Sequence, residues 1–221
     1  MVNVGFWNVR GLNRVAKQSK IKWFMNKNKV DLFGLLETKI RNSGLSGVVS
    51  TIGNNWSYCT NHSYHPYGRV WVLWNHRVFE VLNVDGHAQV LHLHVKLMGT
   101  GVQFWISMVY EFNTAAERVS LWDNLCATAR GISRPWMWCG DFNSVLGPEE
   151  LIGAPVQLSE IRPFRECVKY CEVADCKAVG AYFTWNNKQP SGRRVFSRLD
   201  RVMHNGEWVM SFPDTVANFM P

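Results

Sequence analysis

Val2-Asn3-Val4-Gly5-Phe6-Trp7-Asn8-Val9-Arg10-Gly11-Leu12-Asn13, answered further on by Val30-Asp31-Leu32-Phe33-Gly34-Leu35-Leu36-Glu37-Thr38-Lys39, is the part of the sequence that decides the fold. Each stretch is an apolar, strand-like run that delivers one amide or one carboxylate at its end, Asn8 in the first and Glu37 in the second. Between them, Lys17 to Lys29 sets Ile21, Trp23, Phe24 and Met25 among lysines, the pattern of a helix packing by one face between two parallel strands. Strand, helix, strand brings Asn8 and Glu37 to one sheet edge. Alone, Glu37 would read as a solvated rim residue.

The design recurs at Trp136-Met137-Trp138-Cys139-Gly140-Asp141-Phe142-Asn143. A glycine lets the backbone turn as the buried strand ends, and residues i and i+2 of extended backbone project to the same side, so Asp141 and Asn143 can face one point while Phe142 packs away from it. Gly-Asp-x-Asn by itself is a common turn. Its significance comes from the other strand ends.

Trp7-Asn8-Val9-Arg10-Gly11-Leu12, Leu35-Leu36-Glu37-Thr38-Lys39, Gly140-Asp141-Phe142-Asn143 and Ser197-Arg198-Leu199-Asp200-Arg201 resemble, in order and spacing, the successive motifs of the endonuclease/exonuclease/phosphatase superfamily, which includes DNase I and the apurinic endonucleases. Three further phrases are similar to the N-terminal endonuclease domain of plant non-LTR retrotransposons: Gly68-Arg69-Val70-Trp71-Val72-Leu73-Trp74-Asn75; Val109-Tyr110 with Ala116-Glu117-Arg118 and Leu121-Trp122; and Tyr182-Phe183-Thr184-Trp185-Asn186-Asn187. The resemblance implies a four-layer α/β sandwich, two packed mixed sheets flanked by helices. It implies a Mg²⁺-dependent DNA endonuclease, with Mn²⁺ as a substitute ion. Glu37 is then the metal ligand, assisted by Asn8 and Asp141, since hard divalent cations bind through one or two carboxylates while keeping several waters. Asp141 takes or orients the proton of the attacking water, Asn143 holds that water or a phosphate oxygen, Tyr110 donates to a phosphate oxygen, and Asp200 orients a catalytic histidine. The DNA-contacting set is Arg10, Lys39, Arg69, Trp185, Lys188, Arg193, Arg194, Ser197 and Arg198.

The sequence departs from the pattern in one place. The family places Ser-Asp-His after this region, on a final strand, and the chain ends at Ala217-Asn218-Phe219-Met220-Pro221 without it. His204, the only histidine after Asp200, falls where a surface loop should begin. Losing one transition-state donor costs about 10²–10³ in rate by analogy with oxyanion holes. The alternative function is therefore a captured, catalytically inactive relic that binds nucleic acid or protein. An incomplete sheet would also leave an edge that invites pairing. Either Trp208 to Pro221, a second copy in a homodimer, or a partner protein is expected to cover it.

Composition agrees with this reading. A net charge of +7 and pI near 9.2 favour a polyanionic partner. There is neither an 18-residue apolar run nor a basic n-region followed by an apolar h-region, so the expectation is an intracellular protein of nucleus or cytoplasm, not secreted and not membrane-bound. The six cysteines lack paired C-x-x-C or a following H-x-x-x-H, so they read as buried reduced thiols rather than a zinc site; Cys167, Cys171 and Cys176 fall in one expected helix. His92 and His94 alternate with Leu91, Leu93 and Val95 and read as solvent-facing.

No repeat or linker divides the chain, which reads as one domain over 1–221 with its last strand apparently missing. Strands are expected near 2–9, 31–37, 56–60, 69–75, 78–83, 89–97, 102–110, 136–141, 181–185 and 194–203, and helices near 14–28, 115–130 and 160–172. Gly99-Thr100-Gly101 reads as a tight hairpin turn and Asn186 to Arg193 as a longer hairpin loop.

Overall fold

The computed structural model describes residues 2–53 and 55–220. Its contacts divide the chain into two compact units, Met1–Tyr110 and Glu111–Pro221. The first unit holds β1 (Val4–Asn8), α1 (Val15–Lys27), β2 (Leu32–Leu36), α2 (Leu45–Gly53), β3 (Ser57–Thr60), β4 (Val70–Trp74), β5 (Phe79–His87), β6 (Val90–Leu97) and β7 (Gln103–Tyr110). The second holds α3 (Ala115–Ala129), β8 (Trp136–Asp141), β9 (Leu151–Ile152), α4 (Leu158–Tyr170), β10 (Ala174–Asp175), β11 (Ala178–Gly180), β12 (Trp185–Asn186), β13 (Phe196–Ser197), β14 (Asp200–His204), α5 (Gly206–Ser211) and β15 (Ala217–Phe219). This is a mixed α/β fold with several sheets flanked by helices.

In the first unit, β1 and β2 run parallel with Asn8 opposite Leu36, joined by α1 as the apolar spacing requires. Antiparallel β4 and β3 complete a mixed sheet in the order β1-β2-β4-β3. All five residues of β2 are buried, which is why its sequence is a continuous apolar run instead of an alternating one. On α1, Ile21 and Met25 are buried while Trp23 is exposed beneath Lys27. Trp23 was expected on the packed face; a 3.6-residue repeat puts it on the side opposite Ile21. β5, β6 and β7 form an antiparallel meander whose β6–β7 turn contains Gly99-Thr100-Gly101, with the Gly101 N–H donating to Leu97 O at 2.7 Å.

Two histidine expectations change here. His92 is fully buried, its Nδ1 2.6 Å from Ser107 Oγ on the register partner strand, and His94 is half-buried and stacked on Trp105 with ring centroids 4.7 Å apart. Alternation along β6 separates two faces but does not make either one face water. His204 is likewise the last residue of β14, not the start of a loop.

In the second unit, β14 pairs antiparallel with both β8 and β10, β13 pairs with β9 and β12, and helices α3 and α4 pack together. The capping of α3 is set by Thr114, which accepts from the Glu117 N–H at 3.4 Å and donates to Glu117 Oε2 at 2.5 Å, a reciprocal pairing that fixes the first helical turn. The chain end folds back within this unit: β15 runs parallel to β11 from Ala217 to Phe219. Pro221, the last residue of the expected edge-covering segment, lies outside the described residues. Cys176 lies beyond α4, which ends at Tyr170, so the helix expected to carry three cysteines carries Cys167 and is closed by Cys171.

Candidate active site

The first unit builds a carboxylate site at the β1 and β2 ends. Parallel pairing continues past both strands, the N–H groups of Val9, Gly11 and Leu12 donating to the carbonyls of Leu36, Glu37 and Thr38 at 2.9, 2.7 and 2.8 Å. Thr38, fully buried, donates its hydroxyl to Gly68 O at 2.8 Å. This bracing holds non-glycine residues in left-handed backbone: Arg10 at φ 47°, Glu37 at φ 55° and Lys39 at φ 56°. Each such residue costs on the order of 1–2 kcal/mol, and such strain gathers where a site must be aimed.

Glu37 is mostly buried, and its Oε1 lies 2.7 Å from Lys39 Nζ. Asn8 Oδ1 accepts the Arg10 N–H at 3.1 Å. Lys17, which sequence reasoning passed over, belongs to the same cluster: burial lowers its pKa first, the Glu37 carboxylate opposes that, and Arg10, Arg14 and Lys39 lower it further. Lys17 and Lys39 therefore both interact with the Glu37 carboxylate. Arg69 lies over the ring of Tyr110 at 5.8 Å, and Tyr110 is buried at the end of β7.

The second unit builds its site on the β8 end. Asp141, buried, stands opposite Asp200 in the β8–β14 register. Its Oδ1 accepts the Asn143 N–H at 3.0 Å, and Asn143 sits in left-handed backbone at φ 41°, which asparagine tolerates better than most residues. The pair is thus both a turn and a placed carboxylate. Phe142 is fully buried and stacks on Phe164 at 5.1 Å, which stacks on Trp122 at 4.8 Å, so the motif is anchored in the α3–α4 core as the alternation requires. Asn143 and Trp185 line a cleft of about 280 Å³ with Arg118, Ser144 and Ser197.

Behind this loop lies a network that the sequence did not reveal. Glu111, fully buried, donates its N–H to Asp141 O at 2.9 Å and accepts the Asn143 side-chain amide on its carbonyl at 2.6 Å. Its carboxyl oxygen Oε1 takes Arg118 Nε at 2.8 Å and the Ser144 hydroxyl at 2.7 Å. Arg118 also donates to Asn113 O, Asn143 O and Ser144 Oγ at 2.9, 3.2 and 3.0 Å. Burial pushes the Glu111 carboxyl up to about 8; Arg118 and Ser144 draw it back only in part, and Asp141 adds to the rise.

Asp200 is the first residue of β14, and its N–H donates to Thr184 Oγ1 at 3.0 Å. The neighbouring Arg198 and Arg201 guanidiniums go to Glu150 and Asp175, with Arg201 and Glu150 buried. Ser197 and Arg198, expected to face DNA, are not on an open surface. Ser197 is 3% exposed and Arg198 is held by that carboxylate pair under Tyr182. Lys188, Arg193 and Arg194 are exposed in the hairpin between β12 and β13, and Arg10 and Lys39 are exposed at the first site.

The Endonuclease/Exonuclease/phosphatase family profile matches residues 5–221, and the chain belongs to that family. No curated protein matches it. Among solved structures, a β-hairpin deletion mutant of beta toxin from Staphylococcus aureus matches with a TM-score of 0.68 at 12% identity, covering 100% of this chain and 92% of its own. The AP endonuclease LMAP from Leishmania major matches with a TM-score of 0.67 at 17% identity over 91% and 78% of the two chains. The mannosyl-6-phosphatase Bt3783 from Bacteroides thetaiotaomicron matches with a TM-score of 0.63 at 15% identity over 93% and 86%. At these identities the likeness is one of fold. The family includes endonucleases and phosphatases, typically dependent on a divalent metal.

Proposed function

We propose that the chain is a Mg²⁺-dependent DNA endonuclease domain of retrotransposon origin, hydrolysing phosphodiester bonds inside the cell. The observation that carries this reading is the strained, braced end of β2, which presents Glu37 beside Asn8. Those two residues offer only oxygen donors, a carboxylate and an amide, and that donor set fits a hard divalent ion. Asp141 is the third oxygen donor of the expected set. When bound, such an ion polarises a phosphate oxygen and lowers the pKa of water.

The protein's own groups supply the rest. The Asp141 carboxylate, fixed through Oδ1 by the Asn143 N–H, accepts a proton from the attacking water. Asn143 orients that water through its side-chain oxygen, its NH₂ being committed to Glu111 O. Tyr110 donates to a phosphate oxygen, and Arg10, Lys39 and the β12–β13 hairpin attract the backbone of DNA. The tryptophan-rich phrases around Trp71, Trp122 and Trp185 support the plant retroelement branch over phosphomonoester substrates.

The Glu37–Lys39 ion pair favours a second reading, a relic in which lysine stands where the cation would bind and the domain acts by binding nucleic acid or protein. Plasmid nicking with Mg²⁺ and with EDTA, together with Mn²⁺ calorimetry, separates them. The endonuclease reading requires metal-dependent nicking that Glu37→Gln abolishes along with Mn²⁺ binding. Retained DNA affinity with no nicking and no Mn²⁺ heat selects the relic.

A further inference from the structure

Three of the six cysteines meet away from the site just described. Cys126 lies near the end of α3, Cys167 is on α4, and Cys171 closes α4 one turn later. Their sulfur atoms all lie within 4.8 Å of one another, and Cys126 Sγ is 3.7 Å from Cys167 Sγ. Cys167 and Cys171 are buried; Cys126 is half-buried. None is in a disulfide, and 3.7 Å is far beyond the S–S bond of about 2.05 Å. It matches instead the spacing that a shared cation imposes, since Zn–S bonds of about 2.3 Å at tetrahedral angles set sulfurs about 3.8 Å apart.

The arrangement has the parts of a chelate. Residues four apart on one helical face form a bidentate pair, as in helix-borne zinc sites, and the third sulfur comes from the neighbouring helix. The half-exposed side at Cys126 leaves a fourth position open to water. Soft thiolates select thiophilic ions over Mg²⁺. Arg130 follows Cys126 by one turn and donates to Tyr170 OH at 3.0 Å, so a cation stands beside a cluster that would carry three thiolates.

We propose that Cys126, Cys167 and Cys171 form a three-thiolate site for zinc(II), with water as fourth ligand, which staples the end of α4 to α3. Binding converts three thiols to thiolates and releases three protons to solvent, with no change in oxidation state.

The test uses the reduced, chelator-treated chain and cadmium(II) or zinc(II) alone as probe. One equivalent of cadmium is expected to give the ultraviolet thiolate-to-metal charge-transfer band, unaffected by excess Mg²⁺, lost in Cys167→Ser, weakened in Cys126→Ser and kept in Cys59→Ser. Because Cys167→Ser could fail to fold, a second measurement uses the unaltered chain. Zinc should protect Cys126, Cys167 and Cys171 from alkylation, mapped by mass spectrometry, and leave Cys59 as reactive as before. Absence of the band, protection falling on other cysteines, equal alkylation with and without zinc, or a Cys126–Cys167 disulfide forming in place of metal retention would each overturn the proposal.

Discussion

The Asn143 side-chain amide donates to the main-chain carbonyl of Glu111 at 2.6 Å, tying the strand-end motif to a buried acid. Arg118 closes the same loop by reaching the carbonyls of Phe112, Asn113 and Asn143. Arg118→Ala strips donors from three carbonyls, from Ser144 and from the Glu111 carboxyl at once. A loss of about 2–4 kcal/mol in urea unfolding is expected, whereas Arg118→Lys, which keeps charge without the planar fork, should recover only part of it. A cost below 0.5 kcal/mol would show that the loop is held by something else.

Glu111 also makes stability depend on pH. Its carboxyl is raised in the folded state to about 8, first by burial, from the ordinary 4.5. Between those values the folded chain holds a proton that the unfolded chain has released, so this contribution is fully present below pH 4.5 and is lost as pH rises toward 8. Glu111→Gln keeps the shape and removes the titration. The unfolding free energy of the parent should decline over that interval relative to the variant, and parallel pH profiles for the two would remove Glu111 as the cause.

The β1–α1–β2 frame was legible because its signals are local: two apolar runs, a helical stripe of the right length, and one polar group at each strand end. The three longest helices and most strands followed from the same periodicities. What failed depends on distant partners. Leu45-Ser46-Gly47-Val48-Val49 gave no helix signal because glycine and β-branched residues are weak helix formers, yet its valines are buried as α2. Glu111 and Asn143 are 32 residues apart, and Cys126 and Cys167 are 41 apart; no spacing rule joins them until α3 packs on α4. Arg198 and Arg201 flank Asp200 in sequence, while the fold hands them to Glu150 and Asp175.

That last network predicts a sharp asymmetry. Arg201 is fully buried and Glu150 nearly so, and Glu150 also accepts the Leu146 N–H at 2.6 Å. Glu150→Ala leaves one buried guanidinium short of its partner, and breaking such a pair from one side costs about 3–5 kcal/mol. Replacing Lys96 or Glu80, an exposed pair at 2.9 Å, should cost under about 1 kcal/mol. Equal effects in chemical denaturation would contradict the burial argument.

Gly34 is a packing requirement. It lies in the middle of fully buried β2, and a methyl group there would run into the Met108 side chain. Gly34→Ala should therefore destabilise by about 1–3 kcal/mol through overpacking. Met108→Ala alone leaves a cavity, and the double variant should cost less than the sum of the two. Strict additivity would mean that the two side chains do not contend for one space.

The β12–β13 hairpin gives the most direct test of DNA contact. Asn187 Oδ1 accepts the N–H groups of Gln189 and Val195, and its amide donates to Arg193 O, so the loop is built rather than loose. Within it Arg194 turns back, Nε donating to Gln189 O at 2.9 Å, while Lys188 and Arg193 stand exposed. Each phosphate neutralised contributes about 0.9 to the slope of log affinity against log salt. Replacing Lys188 and Arg193 by glutamine should lower that slope by roughly two and weaken binding to all sequences alike. Adding Arg194→Gln should change the slope less than either of the others, because its guanidinium braces the hairpin. Fluorescence titrations from low to physiological salt decide it: an unchanged slope in the double variant would remove the hairpin from the interface, and a drop of about three in the triple variant would show that Arg194 leaves Gln189 to meet a phosphate.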